Sequence, residues 1–320
     1  MLLLAAAVAG CGRKPPATGG GADDALDRVR RGSPQGSLTE YKLAGSIATG
    51  LKPLRAVAVG GSGEIFAGGG EEIRVFDPAT GSETRRWKVG GELRALSAER
   101  RPQAADSRLW AALASGVEVY DESGKALAKW SFAPGAPGAI GLATSIAVSP
   151  DSVYVADYTH RVVHRFTREG VWVNDIGRRD KAAGLSGLHV PSPHLDCAVD
   201  SAGRVIVTNP GNQRVETYTP TGDLVSGWGE PGIDYDRFSG CCNPTDIALL
   251  PDGSVATSEK GIPRVKVYDA AGRMKGYIGA QQFSEDAAGM DLAVDERGRI
   301  YVADPPTGRV LVFEEGARGR

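Results

Sequence analysis

No apolar stretch in the 320 residues approaches the roughly 18 that a membrane-spanning helix requires. Neither sign of charge is in excess: 37 Lys and Arg against 39 Asp and Glu leave a net charge of −2. The chain therefore has no global field with which to hold nucleic acid or an anionic bilayer, and no nucleic-acid partner is expected. Histidine is scarce, with four copies, and the four cysteines include no Cys-x-x-Cys pair, which argues against dithiol redox catalysis. Also missing are a Gly-x-Ser-x-Gly elbow, a P-loop, a His-Glu-x-x-His motif and a dinucleotide fingerprint on a strand–helix unit. Turn formers are abundant instead. The 44 glycines and 19 prolines make up about one residue in five, against a usual share of roughly 12%. That composition favours many turns and argues against a helical protein, in a chain long enough to bury a sizeable core.

Residues Leu2 to Gly10 are small or apolar and run directly into Cys11, within Val8-Ala9-Gly10-Cys11. A short apolar run closing in small residues is a secretory signal. Small residues followed at once by Cys resemble the lipobox of bacterial lipoproteins, whose cysteine becomes the lipidated first residue of the mature chain. The resemblance implies acyl chains on Cys11, each buried CH₂ contributing about 0.8 kcal/mol to membrane anchoring. With Gly12 rather than Asp following, it also implies a lipid-anchored place in the bacterial cell envelope, facing the periplasm or the surface, with the outer membrane favoured. Residues 12–38 carry Pro, Gly, Ala and alternating charge with little to bury. They read as a flexible tether between the signal segment at 1–11 and a domain at 39–320.

That domain is one unit repeated six times. Each unit has an apolar strand, a polar turn, a second apolar strand, a loop, a strand closed by an aromatic, another turn and a last strand. The closing aromatics are Phe76, Tyr120, Phe166, Tyr218, Tyr268 and Phe313, spaced 44 to 52 residues apart. In five of the six a glycine follows in the next turn: Gly81, Gly124, Gly170, Gly222 and Gly272. Short alternating strands at this period predict an all-β, radially repeated architecture. Trp87, Trp130, Trp172 and Trp228 recur on fourth strands and are expected at equivalent positions, packing the rim.

The stretches GRVIVTNPGNQRVETYTPTG, GSVATSEKGIPRVKVYDAAG and GRIYVADPPTGRVLVF superimpose with few adjustments. They resemble the NHL repeat, which reads roughly apolar-Ala-Val-Asp…Gly…Val-Ala-Asp…Arg-Val…aromatic…Gly. The resemblance covers about residues 50 to 315. Units one and two depart from it, with Glu72-Ile73 and Gly116-Val117 where Arg-Val should stand, and unit three has one extra residue between Arg161 and Phe166, expected as a bulge. The resemblance implies a six-bladed β-propeller of four-stranded blades. The last repeat ends with its third strand, while Tyr41 to Ile47 is a strand without a blade. That strand is expected to close the ring as the outer strand of blade six, removing an open edge.

In such a blade, loops from strand two to three and from strand four to the next blade share one face. That face collects 177–194 and 229–245, long connections of the kind that carry function. His160, His189, His194, Cys241, Cys242 and Glu259 fall on it, whereas His164 lies in a strand. Asp196, Asp246 and Asp291 begin the first strands of three successive units and should ring the channel mouth. Converging carboxylates there would suit Ca²⁺ or another hard cation; alternatively each caps backbone in its own turn or its neighbour's. A second set, Asp157, Asn209, Glu259 and Asp304, precedes Arg161, Arg214, Arg264 and Arg309 by four or five residues, and is read as a series of acid–arginine staples within blades. Cys197, Cys241 and Cys242 leave three readings: a vicinal Cys241–Cys242 disulfide, a bridge from Cys197 to one of them, or thiols holding a soft metal such as Zn²⁺ with His189 or His194.

The NHL resemblance implies an interaction scaffold that binds a partner protein or small ligand on the long-loop face. Two alternatives remain. One is a metal-dependent lyase or lactonase at the channel mouth. The related amidating lyases use several histidines, and only His160, His189 and His194 are available here. The other is a periplasmic redox element built on the Cys241–Cys242 loop.

Overall fold

The computed structural model describes residues 38–99, 107–182 and 184–316. Cys11, the candidate signal segment and the tether through residue 37 lie outside the described residues. Strand β1 spans Thr39–Ala48. Strands β2 (Ala56–Val59), β3 (Ile65–Gly69), β4 (Glu72–Phe76) and β5 (Glu83–Lys88) form one antiparallel sheet. Strands β6 (Leu93–Glu99), β7 (Arg108–Leu113), β8 (Gly116–Asp121) and β9 (Ala126–Ser131) form a second. A third sheet comprises β10 (Ala143–Val148), β11 (Ser152–Asp157), β12 (Val162–Thr167) and β13 (Trp172–Ile176). A fourth comprises β14 (Cys197–Val199), β15 (Val205–Asn209), β16 (Arg214–Tyr218) and β17 (Leu224–Trp228). The remaining strands are β18 (Asp246–Leu249), β19 (Val255–Glu259), β20 (Arg264–Tyr268), β21 (Met274–Ile278), β22 (Leu292–Val294), β23 (Ile300–Asp304) and β24 (Arg309–Glu315). They join β1 in one sheet ordered β18-β19-β20-β21-β1-β24-β23-β22. Strands β2, β6, β10, β14, β18 and β22 each adjoin the next, and β22 adjoins β2, around a central channel. The fold is a β-propeller, and no described helix is long and apolar enough to cross a membrane.

Burial explains the strand patterns. β2, β11, β15, β19 and β23 are buried along their whole length, because a neighbouring sheet covers each face, and their small and apolar residues do not alternate with charge as they would on a half-exposed strand. Outer strands such as β5 and β9 are mostly exposed and carry charge. The apolar core is consequently divided among the seams between sheets. One seam joins Phe66, Val75 and Val89 to Leu96, Leu109 and Tyr120.

The repeated tryptophans and glycines meet at these seams. Trp87 packs on Tyr120 of the following sheet at 5.5 Å between ring centroids, Trp130 on Phe166 at 5.0 Å, and Trp228 on Tyr268 at 4.6 Å. Each indole also covers the turn glycine after that aromatic. A Cβ on Gly124 would lie 2.7 Å from Trp87, and one on Gly272 2.6 Å from Trp228, where φ is also positive at +91° and +80°. Glycine is thus required twice over. Trp172 breaks the series. It sits at the start of β13, opposite Phe166, while Ile176 takes the place that Trp228 holds in the next sheet. The expectation of four equivalent tryptophans is corrected to three.

The N-terminal strand enters the ring beside the C-terminal one. β1 pairs antiparallel with β24 from Tyr41↔Glu315 to Ala48↔Arg309 and touches β21 through Thr39↔Gly276 and Glu40↔Tyr277. In the other repeats the third–fourth strand pairing slips by one residue at the closing aromatic, between Val75 and Phe76, Val119 and Tyr120, Arg165 and Phe166, Thr217 and Tyr218, and Val267 and Tyr268. β1 slips between Leu43 and Gly45, opposite Phe313 and Val312. The shared bulge makes β1 the equivalent of a fourth strand. The extra residue near Arg161 is not a bulge in β12, which pairs with β11 without a break. Arg161 instead occupies the left-handed turn position (φ 58°) that Gln213 holds in the next sheet (φ 48°).

Candidate functional site

The three channel carboxylates are engaged with backbone. Asp196 accepts from its neighbour's N–H at Cys197 (2.8 Å) and, across the seam, from Ile247 N–H (2.6 Å). Asp246 accepts from Leu292 N–H at 2.9 Å, and Asp291 from Val57 N–H at 2.7 Å. Each acid therefore ties the start of its inner strand to the start of the next. Burial is the first reason that Asp196 is pushed up to about 6. Burial, then Asp196 and Asp291, raises Asp246 well above the ordinary 3.8, and burial raises Asp291 likewise. The acids divide the channel: Asp196 and Asp291 line a cavity of about 530 Å³ on one side, Asp246 and Asp291 one of about 280 Å³ on the other. The smaller also takes in Arg55, Arg94 and His194. Burial, then Lys260, lowers His194 to about 4, so its ring is neutral at pH 7.

The residues expected on the long-loop face have separate neighbours. His189 is exposed, and its backbone N–H is fixed by Asn209 Oδ1 at 2.9 Å. His160 turns to Asp157, with Nδ1 2.6 Å from Oδ2. Cys241 and Cys242, one exposed and one buried, place their sulfurs 3.0 Å apart. Cys197 lies 3.8 Å from Ser145 Oγ, against the preceding sheet, and burial drives its thiol far above the ordinary value. Of the three cysteine readings, the bridge from Cys197 to Cys241 or Cys242 gives way to this seam contact. Glu259 is fully buried rather than presented to solvent.

The proposed acid–arginine staples require correction in three of four places. Only Glu259 meets its arginine, with Arg264 Nε at 3.0 Å and both side chains fully buried. Asp157 does not engage the Arg161 side chain; its oxygens accept from Gly141 N–H (2.8 Å), Leu142 N–H (3.1 Å) and Thr159 N–H (2.8 Å). Asn209 holds His189 and Glu216 rather than Arg214. Asp304 accepts from Thr307 Oγ1, and Arg309 reaches Ser46. The reason is positional. The end of the second strand lies beneath the connection entering its own sheet, so Asp157, Asn209 and Glu259 each fasten that connection, Glu259 through Ser239 Oγ at 3.1 Å.

Sequence reasoning missed a polar position two residues before five of the six closing aromatics: Arg74, Glu118, His164, Glu216 and Lys266, with Leu311 before Phe313 as the exception. Lys266 is fully buried, ion-paired with Glu259, bonded to Arg237 O at 2.7 Å and set over the Phe238 ring at 4.5 Å. Burial lowers it to about 8, with Glu259 opposing the fall. His164 is buried between two carboxylates, Nδ1 2.6 Å from Asp175 Oδ1 and Nε2 3.4 Å from Asp157 Oδ2. The periodicity of these polar residues against apolar neighbours was the available signal.

No family model matches the chain, and no curated protein matches it. Among solved structures, the WD40 β-propeller domain of Doa1 superposes with a TM-score of 0.53 at 14% sequence identity, covering 82% of this chain and 79% of that one. At that identity the likeness shows the fold alone.

Proposed function

We propose that the protein is a lipid-anchored binding scaffold of the bacterial envelope, a six-bladed propeller of NHL type that receives a protein partner on the side of its third and fourth blades. In this reading the eight-stranded sheet is two blades joined through β1, and Cys11 carries the anchor. One observation carries the binding reading. Of the eight large apolar side chains exposed among the described residues, six are Val171, Val173, Leu185, Leu224, Val225 and Ile233. They lie on or beside β13 and β17 and on the connections that follow those strands, and clustered exposed apolar surface marks interaction sites. The lyase or lactonase reading is weaker, because the carboxylates it needs already accept backbone donors between sheets.

Site-specific photocrosslinking in cells tests the proposal, with the photoreactive residue at Leu185 or Ile233 and, as a control, at Ala271 in the turn on the opposite face. A discrete adduct from both loop positions, absent from the control and lost on Val173→Glu with Val225→Glu, supports a partner at this surface. Adducts equal at all three positions, or none at the loops, refute it.

A further inference from the structure

We propose that Asp157, His160 and His164 form a zinc site, with Asp175 positioning His164 from behind and a fourth coordination position open to solvent. The three residues span the β11–β12 hairpin, and their candidate ligand atoms all lie within 4.8 Å of one another. Asp157 Oδ2 is the shared corner, 2.6 Å from His160 Nδ1 and 3.4 Å from His164 Nε2. Tetrahedral zinc with bonds of about 2.0–2.1 Å sets its ligand atoms about 3.3–3.4 Å apart. The Asp157–His164 edge already has that length. His160 must withdraw by less than about 1 Å to match it, and its side chain is 51% exposed.

The hydrogen bonds around His164 point the same way. Its Nδ1 meets Asp175 Oδ1 at 2.6 Å, an oxygen that also accepts Trp172 Nε1–H at 2.9 Å, while Arg178 holds the other oxygen of Asp175. A proton on Nδ1 is therefore committed to Asp175, which leaves the Nε2 lone pair facing the Asp157 carboxylate. Two acceptors opposed in a buried setting need a cation between them. A second imidazole aimed at the same carboxylate oxygen completes a set of three donors around one point, which a metal ion satisfies at once. A carboxylate behind a ligating histidine fixes its tautomer and orientation. Backbone N–H groups of Gly141, Leu142 and Thr159 immobilise Asp157 in turn. Two imidazoles and one carboxylate are donors suited to zinc, and three protein ligands leave room for a water. This site is separate from the channel acids, and Asp175 behind it lies on β13, the strand that also carries Val173 of the binding surface proposed above.

The test uses the full chain with Cys11→Ser, free of any polyhistidine tag, equilibrated with zinc chloride or cobalt chloride and desalted. One equivalent of zinc is expected, with the visible bands of tetrahedral cobalt and no thiolate charge-transfer band. Cys241→Ser with Cys242→Ser should retain it. His160→Ala, at an exposed position, should lower zinc affinity at least about tenfold, and Asp175→Asn about 10–100-fold. No zinc retained at micromolar protein, binding that survives His160→Ala, or binding lost with the two cysteines would each overturn the assignment.

Discussion

Leu43 stands opposite Phe313 across the β1–β24 ladder, with Ala44 bulged out before Gly45 meets Val312. The two ends of the described chain are thereby hydrogen-bonded to one another, and Ile47 packs beside Val310 and Val312 in the seam toward β2–β5. Deleting residues 39–48 should therefore abolish cooperative thermal unfolding. Ile47→Ala should cost about 2–4 kcal/mol, the range for a truncated buried aliphatic. A deletion variant that melts like the parent would show that β1 is dispensable.

The channel acids predict a pH dependence. In the unfolded chain Asp196 and Asp246 ionise near 3.8, whereas in the fold burial pushes Asp196 up to about 6 and burial, then Asp196 and Asp291, raises Asp246 well above 3.8. Between about pH 4 and 6 the folded state holds more protons, so their contribution to stability falls as pH rises and stays lost above that window. Asp246→Asn keeps an oxygen to accept Leu292 N–H and removes the charge. It should raise the melting temperature at pH 8 and do much less at pH 4. Equal shifts at both values would contradict the account.

Glu259 balances two buried cations, Arg264 and Lys266. Glu259→Gln keeps the shape but strands both charges, and removing one partner of a buried pair costs about 3–5 kcal/mol. Because Arg264 and Lys266 also hold Arg237 O, cleavage within 229–245 by added protease should accelerate. Differential scanning calorimetry and limited proteolysis read the two effects, and an unchanged melting temperature would refute the first.

Cys241 and Cys242 are in sulfur contact at 3.0 Å, against about 2.05 Å for a bonded pair. Oxidised glutathione should take two electrons from the pair, forming the Cys241–Cys242 disulfide, releasing two glutathione thiols and removing two cysteine thiols from titration of the native protein. Cys197, buried with its thiol pushed up, should stay unreactive until the protein unfolds. Early alkylation of Cys197 would be the contrary result.

Lipidation makes a separate prediction. Cells grown with labelled palmitate should transfer label to this chain, and Cys11→Ser should remove it along with membrane fractionation. A wild-type chain without label would exclude the anchor.

The repeat was legible because its signals are local. The closing aromatics, the turn glycines and the orphan strand at Tyr41 each follow from side-chain alternation or from the conformational needs of a few adjacent residues. The same local reading misplaced Arg161, whose left-handed turn position depends on hairpin geometry. It also treated Trp172 as equivalent to Trp228, since both lie on fourth strands. Spacing alone suggested staples to arginine, yet of Asp157, Asn209, Glu259 and Asp304 only Glu259 found its arginine.

The sequence by itself determined the strand pattern, the period and which segment would close the ring, since alternation and turn chemistry act within a few residues. The tertiary structure decided what every buried polar group does. Asp196 bonds Ile247 and Asp291 bonds Val57, Glu259 gathers Ser239, Arg264 and Lys266, and His164 faces Asp157 and Asp175. Those partners come from adjacent strands of the same sheet, from neighbouring sheets and from incoming connections. A buried polar atom bonds whatever donor or acceptor the packing brings within about 3 Å, however far away it lies along the chain.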